Sequence, residues 1–199
     1  MLFSIINWVT ENYIELIASI LGVAGVYLTA KQKIWCWPVG LVNVALSLYV
    51  FFIAKLYADV VLQVFYLVMT LYGWYNWIFG GEKKFELPVR NIKAKEFLIM
   101  FIAGMCLSVL VGYLFATYTD ASFPYWDSLL TVWGIIGTYA MGKKIIEHWI
   151  MWIVIDINCT ILYFIKHLYA FAPLYFIFTA LAVYGYYTWK KDLKKQTAV

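Results

Sequence analysis

Charge is scarce in this sequence. Asp, Glu, Lys and Arg make up 13% of its 199 residues, where a soluble domain carries about 25%. That shortage excludes a water-facing surface over most of the chain. Histidine occurs twice, as His148 and His167, near opposite ends of one apolar stretch and too far apart to share a metal. The three cysteines, Cys36, Cys106 and Cys159, have neither metal-ligand nor disulfide spacing and read as core residues. There is no HExxH, no GxSxG, no phosphate-binding loop and no Ser/His/Asp set that could share a site, so neither hydrolase chemistry nor an ATP drive is expected in this chain. No catalytic residue, cofactor, metal or nucleic-acid partner is expected. The start, "MLFSIINWVTEN", has no basic n-region and no small-residue cleavage site, and does not read as a signal peptide.

What the chain has is apolar surface. Hydrophobic residues reach 65%, aromatics 21%, and mean hydropathy is +0.80. The expected class is an all-α integral membrane protein in the lipid bilayer. Apolar runs of about 17–25 residues fall at 13–30, 34–53, 57–79, 96–117, 124–142, 145–165 and 169–189. The one long polar interruption is "GGEKKFELPVRNIKAKE" at 80–96. With seven spans, one side receives Lys31, Lys33, Lys83, Lys84, Arg90, Lys93, Lys95, Lys143, Lys144, Lys190, Lys191, Lys194 and Lys195. The other receives Lys55 and Lys166. Basic residues collect in the cytoplasm, so the N-terminus is expected outside and the C-terminus in the cytoplasm.

Offset by 112 residues, the sequence matches itself without a gap from Tyr13 over Tyr125 to Trp77 over Trp189. Eighteen of 65 positions are identical. They include Gly22/Gly134, Gly25/Gly137, Tyr27/Tyr139, Lys31/Lys143, Trp37/Trp149 and Gly73/Gly185. Chance likeness of two apolar stretches does not account for glycine, lysine and tryptophan matched at one register. The expectation is two parallel three-helix repeats, 13–79 and 124–189. They are joined by a cytoplasmic loop at 80–95 and a linker helix at 96–117, with a cytoplasmic tail at 190–199. Parallel repeats of this kind occur in transporters, with the substrate near the membrane midplane between the halves. The paired glycines are expected to allow close helix contact within each repeat.

Polar residues at membrane depth differ between the copies. Asp156 and Asn158 stand where the first copy has Val44 and Leu46; Asn43 and Ser47 stand opposite Ile155 and Cys159; Gln63 stands opposite Tyr175. An ionisable residue inside a span is a functional-site hypothesis by default. Helical spacing puts Trp149, Trp152, Asp156 and Tyr163 on one face of span six. It puts Gln63, Tyr66, Thr70, Trp74 and Trp77 in one stripe of span three. Converging, these residues make an aromatic cavity with amides, hydroxyls and one carboxylate, suited to a flat cationic ring. Other readings stay open. Gln63 or Asn43 can tie helices together, Trp152 can be core, and Asp156 can pair with an amide or relay protons. Trp77, Trp189, Tyr57 and Tyr169 read as interfacial anchors. Glu15 and Asp127, matched near the outer ends of spans one and five, read as a gating or structural pair.

"LVNVALSLYVFFIAKLYADVVLQVFYLVMTLYGWYNW", "FPYWDSLL" and "WIMWIVIDINCTILYFIKHLYAFAPLYF" together resemble the PnuC family of bacterial vitamin transporters. The resemblance runs from about Glu15 to Trp189. It implies seven helices in a 3+1+3 arrangement, similar to the SWEET sugar transporters. It also implies import of nicotinamide riboside, thiamine or riboflavin by facilitated diffusion, trapping by a cytoplasmic kinase, and a homotrimer. The family's binding Gln falls on Gln63 and its binding Trp on Trp152. Its Asn, four residues on, falls on Asp156, a departure that suits a cationic cargo. Nicotinamide riboside leads, with thiamine close behind. Proton-coupled symport is one rival, and a membrane enzyme or scaffold without transport is another.

Overall fold

The computed structural model describes residues 13–53, 55, 57–81, 87–165 and 172–196. Lys83, Lys84, Lys166, His167 and Tyr169 lie outside them, as do the side chains of Glu15 and Tyr57. The described chain is helical: α1 Tyr13–Ala30, α2 Cys36–Ile53, α3 Tyr57–Phe79, α4 Ala94–Tyr118, α5 Pro124–Gly142, α6 His148–Ile165 and α7 Ala172–Gln196. Among the described residues, α2, α4 and α6 are long and apolar enough to cross a membrane. Their outward faces are apolar too, as with Phe52, Ile102, Val109 and Val154. Lipid is the solvent there, and each helix satisfies its own backbone.

Each of six helices packs against two of the others, giving the closed order α1, α2, α3, α5, α6, α7 and back to α1. α4 stands outside the ring against α5. Its buried stripe is Gly104, Ser108 and Gly112, one turn apart. A Cβ at Gly104 or Gly112 would press into Ile136 or Tyr125 of α5, so only small residues allow this approach. α7 continues past the expected end of its span at 189 to Gln196. There Gln32 donates to Asp192 (2.9 Å) and Lys195 pairs with Asp192 at 3.4 Å.

The core lies at the end of the ring where the basic residues collect. Trp37, Trp77, Trp149 and Trp189 are 0–4% exposed and meet ring to ring. Trp77 Nε1 donates to the Met141 carbonyl (3.0 Å), and Trp189 Nε1 donates to the Thr29 carbonyl (3.1 Å). The expectation that Trp77 and Trp189 anchor at the lipid interface is therefore corrected. The indole N–H groups of these two residues each find a carbonyl at the end of a neighbouring helix, and their rings lie among the other tryptophans. Gly73 and Gly185 make room, since a Cβ at either would overlap Trp37 or Trp149. α1 and α5 both end with a non-glycine residue in the left-handed region, Gln32 (φ 52°) and Lys144 (φ 49°). In both, the next amide closes six-to-one onto the helix: Lys33 to Leu28 and Ile145 to Ala140.

The stretch before α4 packs across the α5–α6 turn. Arg90 exchanges backbone bonds with Lys144 and Ile146, and Ile92 N–H donates to Glu147 (2.9 Å). Arg90 also grips Glu96 with two bonds of 2.7 and 3.0 Å, fixing the start of α4.

Candidate functional site

A cavity of about 300 Å³ opens inside the ring. α1, α2, α6 and α7 supply nearly all of its lining, with Met141 of α5. Three residues singled out from the sequence meet there: Asn43, Trp152 and Asp156. Trp149, on the same face of α6, joins them, as do Tyr175 and Phe178 of α7.

Asp156 is 3% exposed. Among the described residues none hydrogen-bonds to or ion-pairs with its carboxylate. Its backbone carbonyl accepts from the Thr160 hydroxyl (2.8 Å). An unpaired carboxylate in apolar surroundings is costly, and a cation in the cavity would relieve that cost. No lysine or arginine is among the described lining residues.

Asn43 has local duties as well. Its Nδ2 donates to the Ala18 carbonyl of α1 (2.9 Å), and its Oδ1 accepts from Ser47 (3.4 Å). One acceptor lone pair is left for a ligand. Ser47 is not among the lining residues; it holds the Asn43 amide from one turn away. Trp152 lies along α5: a Cβ at Gly137 would sit 3.3 Å from its Nε1, and one at Gly134 would sit 3.8 Å from its ring.

The α3 stripe is placed differently. Gln63, Tyr66, Thr70 and Trp74 are not among the residues lining the cavity. Gln63 is half-buried. The Tyr66 hydroxyl abuts Gly134 of α5, and the Thr70 hydroxyl donates back to the Tyr66 carbonyl (2.7 Å). The Thr70 methyl lies 3.7 Å from where a Gly40 Cβ would stand, and Trp74 packs on the tryptophan core. Asp127 is half-buried in the first turn of α5, and its proposed partner's side chain, that of Glu15, is outside the described residues.

Sequence reasoning missed Gly40, His148 and Phe178. Gly40 was legible in the self-match, because it stands opposite Trp152 there. His148 was weighed only as a metal ligand. It is fully buried, with Nδ1 donating to the Ile145 carbonyl (2.7 Å) and its ring 4.5 Å from Trp149 and 4.8 Å from Trp189. Phe178 carries no polar signal, and only packing against Gly22 reveals it.

Beside the core, two tyrosine pairs stack between neighbouring helices, Tyr27 with Tyr184 and Tyr72 with Tyr139. Lys31 caps the first pair, 5.3 Å from the Tyr184 ring, and Lys143 caps the second, 4.8 Å from the Tyr139 ring. Hydrogen bonds to Tyr184 and Tyr139 push these two ammonium groups above the ordinary lysine range.

Residues 12–191 match the family described as "Nicotinamide mononucleotide transporter". The nicotinamide riboside transporter PnuC of Escherichia coli K12 is 29% identical over 210 residues, 93% of this chain and 88% of that protein. The riboflavin/roseoflavin transporter RibM of Streptomyces davaonensis is 30% identical over 179 residues, covering 88% and 83%. The crystal structure of a vitamin B3 transporter PnuC superposes with a TM-score of 0.76 over 96% of this chain and 86% of that one, at 21% identity, which is a likeness of fold. This multi-pass helical membrane protein, with an aromatic cavity inside its ring, belongs to the PnuC-type nicotinamide mononucleotide transporter family.

Proposed function

We propose that the chain imports a cationic heteroaromatic vitamin across the bacterial inner membrane, nicotinamide riboside in the first place. The observation that carries this reading is the unpaired Asp156 carboxylate in a cavity walled by Trp149, Trp152, Tyr175 and Phe178. Aromatic faces and a carboxylate attract the same thing, a flat cation. A mononucleotide would bring a phosphate, and no lysine or arginine among the described lining residues receives one. Thiamine, also a cation, is the second reading; riboflavin, suggested by the likeness to RibM, is uncharged and brings no cation to Asp156.

Cargo is bound directly by Asp156, Trp152 and Asn43. Gln63, Tyr66 and Trp74 contribute from α3 without lining the cavity, while Ser47 and Thr70 act at one remove, on the Asn43 amide and beside Gly40. The helices form two parallel repeats, α1–α3 and α5–α7, joined by α4. The ring order and the matched pair of tryptophan-to-carbonyl bonds support that division. Rocking of one repeat on the other exposes the cavity to each side in turn. Glu15 and Asp127 act near the outer ends of their helices as a gating or structural pair. Transport is facilitated diffusion, with the N-terminus outside, the C-terminus cytoplasmic and a kinase trapping the product. A homotrimer is the expected assembly.

Calorimetric titration of the purified protein with nicotinamide riboside, thiamine and riboflavin tests the cargo. Asp156→Asn is expected to weaken nicotinamide riboside by about 1–3 kcal/mol; unchanged affinity sinks the role given to the carboxylate. Uptake into liposomes should proceed without a proton gradient, and strict dependence on one defeats facilitated diffusion.

A further inference from the structure

One wall of the cavity is backbone. Gly22 and Gly25 of α1 and Gly40 of α2 all line it. Gly22 is closed in, since a Cβ there would sit 3.2 Å from both Asn43 and Phe178. Gly40 is not: its Cβ would meet one neighbour, the Thr70 methyl, at an ordinary 3.7 Å. Helix packing therefore does not require glycine at this position, and alanine is the better helix former. Something other than the ligand-free fold accounts for the space.

The position matched to Gly40 across the 112-residue offset is Trp152. α2 and α6 stand opposite one another in the ring, and both residues line the cavity. In the second half the indole covers Gly134 and Gly137. In the first half position 40 carries no side chain to do this; Asn43 and Phe178 close over Gly22, Val39 stands 3.8 Å from where a Gly25 Cβ would lie, and the cavity lies against Gly22, Gly25 and Gly40. Asp156, buried and without a hydrogen-bonding or ion-pairing partner among the described residues, lies one turn beyond Trp152 on the same wall.

We infer that Gly40 is the specificity-determining residue of the site. Its missing side chain leaves the slot, facing Trp152, in which the planar ring of the cargo lies within reach of Asp156. This rests on the vitamin-import reading and adds a size limit: the ring is bounded by α2 backbone on one side and an indole on the other. Any side chain at position 40 narrows the slot.

The test uses Gly40→Ala and Gly40→Val in the full chain. Each is titrated with nicotinamide riboside, thiamine and riboflavin, and the ligand-free proteins are melted in detergent. Gly40→Ala should weaken the bound vitamin roughly 10-fold or more, the penalty for one misplaced methyl in an apolar pocket. Its ligand-free melting temperature should equal or exceed that of the wild type. Gly40→Val should lose measurable binding. Equal affinity of wild type and both variants overturns this inference alone. A drop in the melting temperature of Gly40→Ala also overturns it, because the glycine would then serve packing. A wild type that binds none of the three vitamins overturns the import reading and this inference with it.

Discussion

Gly40 and Trp152 are the same position in two matched halves, and they differ by the largest step the side-chain alphabet allows. Around them the halves agree closely. Trp37 seats on Gly73 as Trp149 seats on Gly185, and Trp77 reaches Met141 as Trp189 reaches Thr29. Gly22 meets Phe178 as Gly134 meets Tyr66, again 112 residues apart on both sides. The agreement is concentrated in the tryptophan core, and the divergence at the cavity. Matched residues hold the ring shut at one end. Unmatched ones, Gly40 against Trp152 and Val44 against Asp156, make the space inside it lopsided and put a carboxyl group on one wall.

The widest breach of this comparison would come from the core. Trp37→Ala and Trp149→Ala each remove a buried indole seated on a glycine, and each should cost about 3–5 kcal/mol. Thermal melts in detergent should show two similar losses. A large loss for one and a small loss for the other would mean that the two halves do not share the load.

Asp156→Val restores the residue of the other half, Val44, at nearly the same volume. It should raise stability by about 1–3 kcal/mol, the cost of an unpaired buried polar group, while abolishing affinity for a cationic vitamin. Melting and titration on the same sample read both. A less stable valine variant would show that the carboxylate has a structural partner.

The smallest effect lies at the most symmetric point of the tryptophan core. Trp77→Phe and Trp189→Phe each keep an aromatic ring and lose one hydrogen bond to a helix-end carbonyl. Each should cost about 1 kcal/mol. Unequal melting shifts would identify the seam, α3 with α5 or α1 with α7, that gives way more readily.

Much of this was legible in the sequence. Apolar runs located the seven helices of the described residues, because a span has to supply about 20 residues that lipid tolerates. Boundaries moved at the ends, where turns and caps decide: α2 begins at Cys36 and α6 at His148, each two or three residues after its apolar run starts. Asp156 and Trp152 were visible as an ionisable group and a deep indole on one helical face, and they do meet in the cavity. Trp77 and Trp189 misled, since a tryptophan near a span end looks the same whether it faces headgroups or a neighbouring helix. The α3 stripe was visible as a stripe, but periodicity says which residues share a face and not what the face meets.

From the sequence alone follow the solvent, the seven helices of the described residues, the internal match and the acidic residue at position 156. Each is written in hydropathy, spacing or identity along one chain. The tertiary structure alone decided that α3 closes on α5 and α7 on α1, and that four tryptophans share one core. It also decided that the cavity lies against Gly22, Gly25 and Gly40 while Trp152 covers Gly134 and Gly137. A cavity is what neighbouring helices leave unfilled, so it depends on which side chains face one another across the ring, and no single stretch of sequence records that.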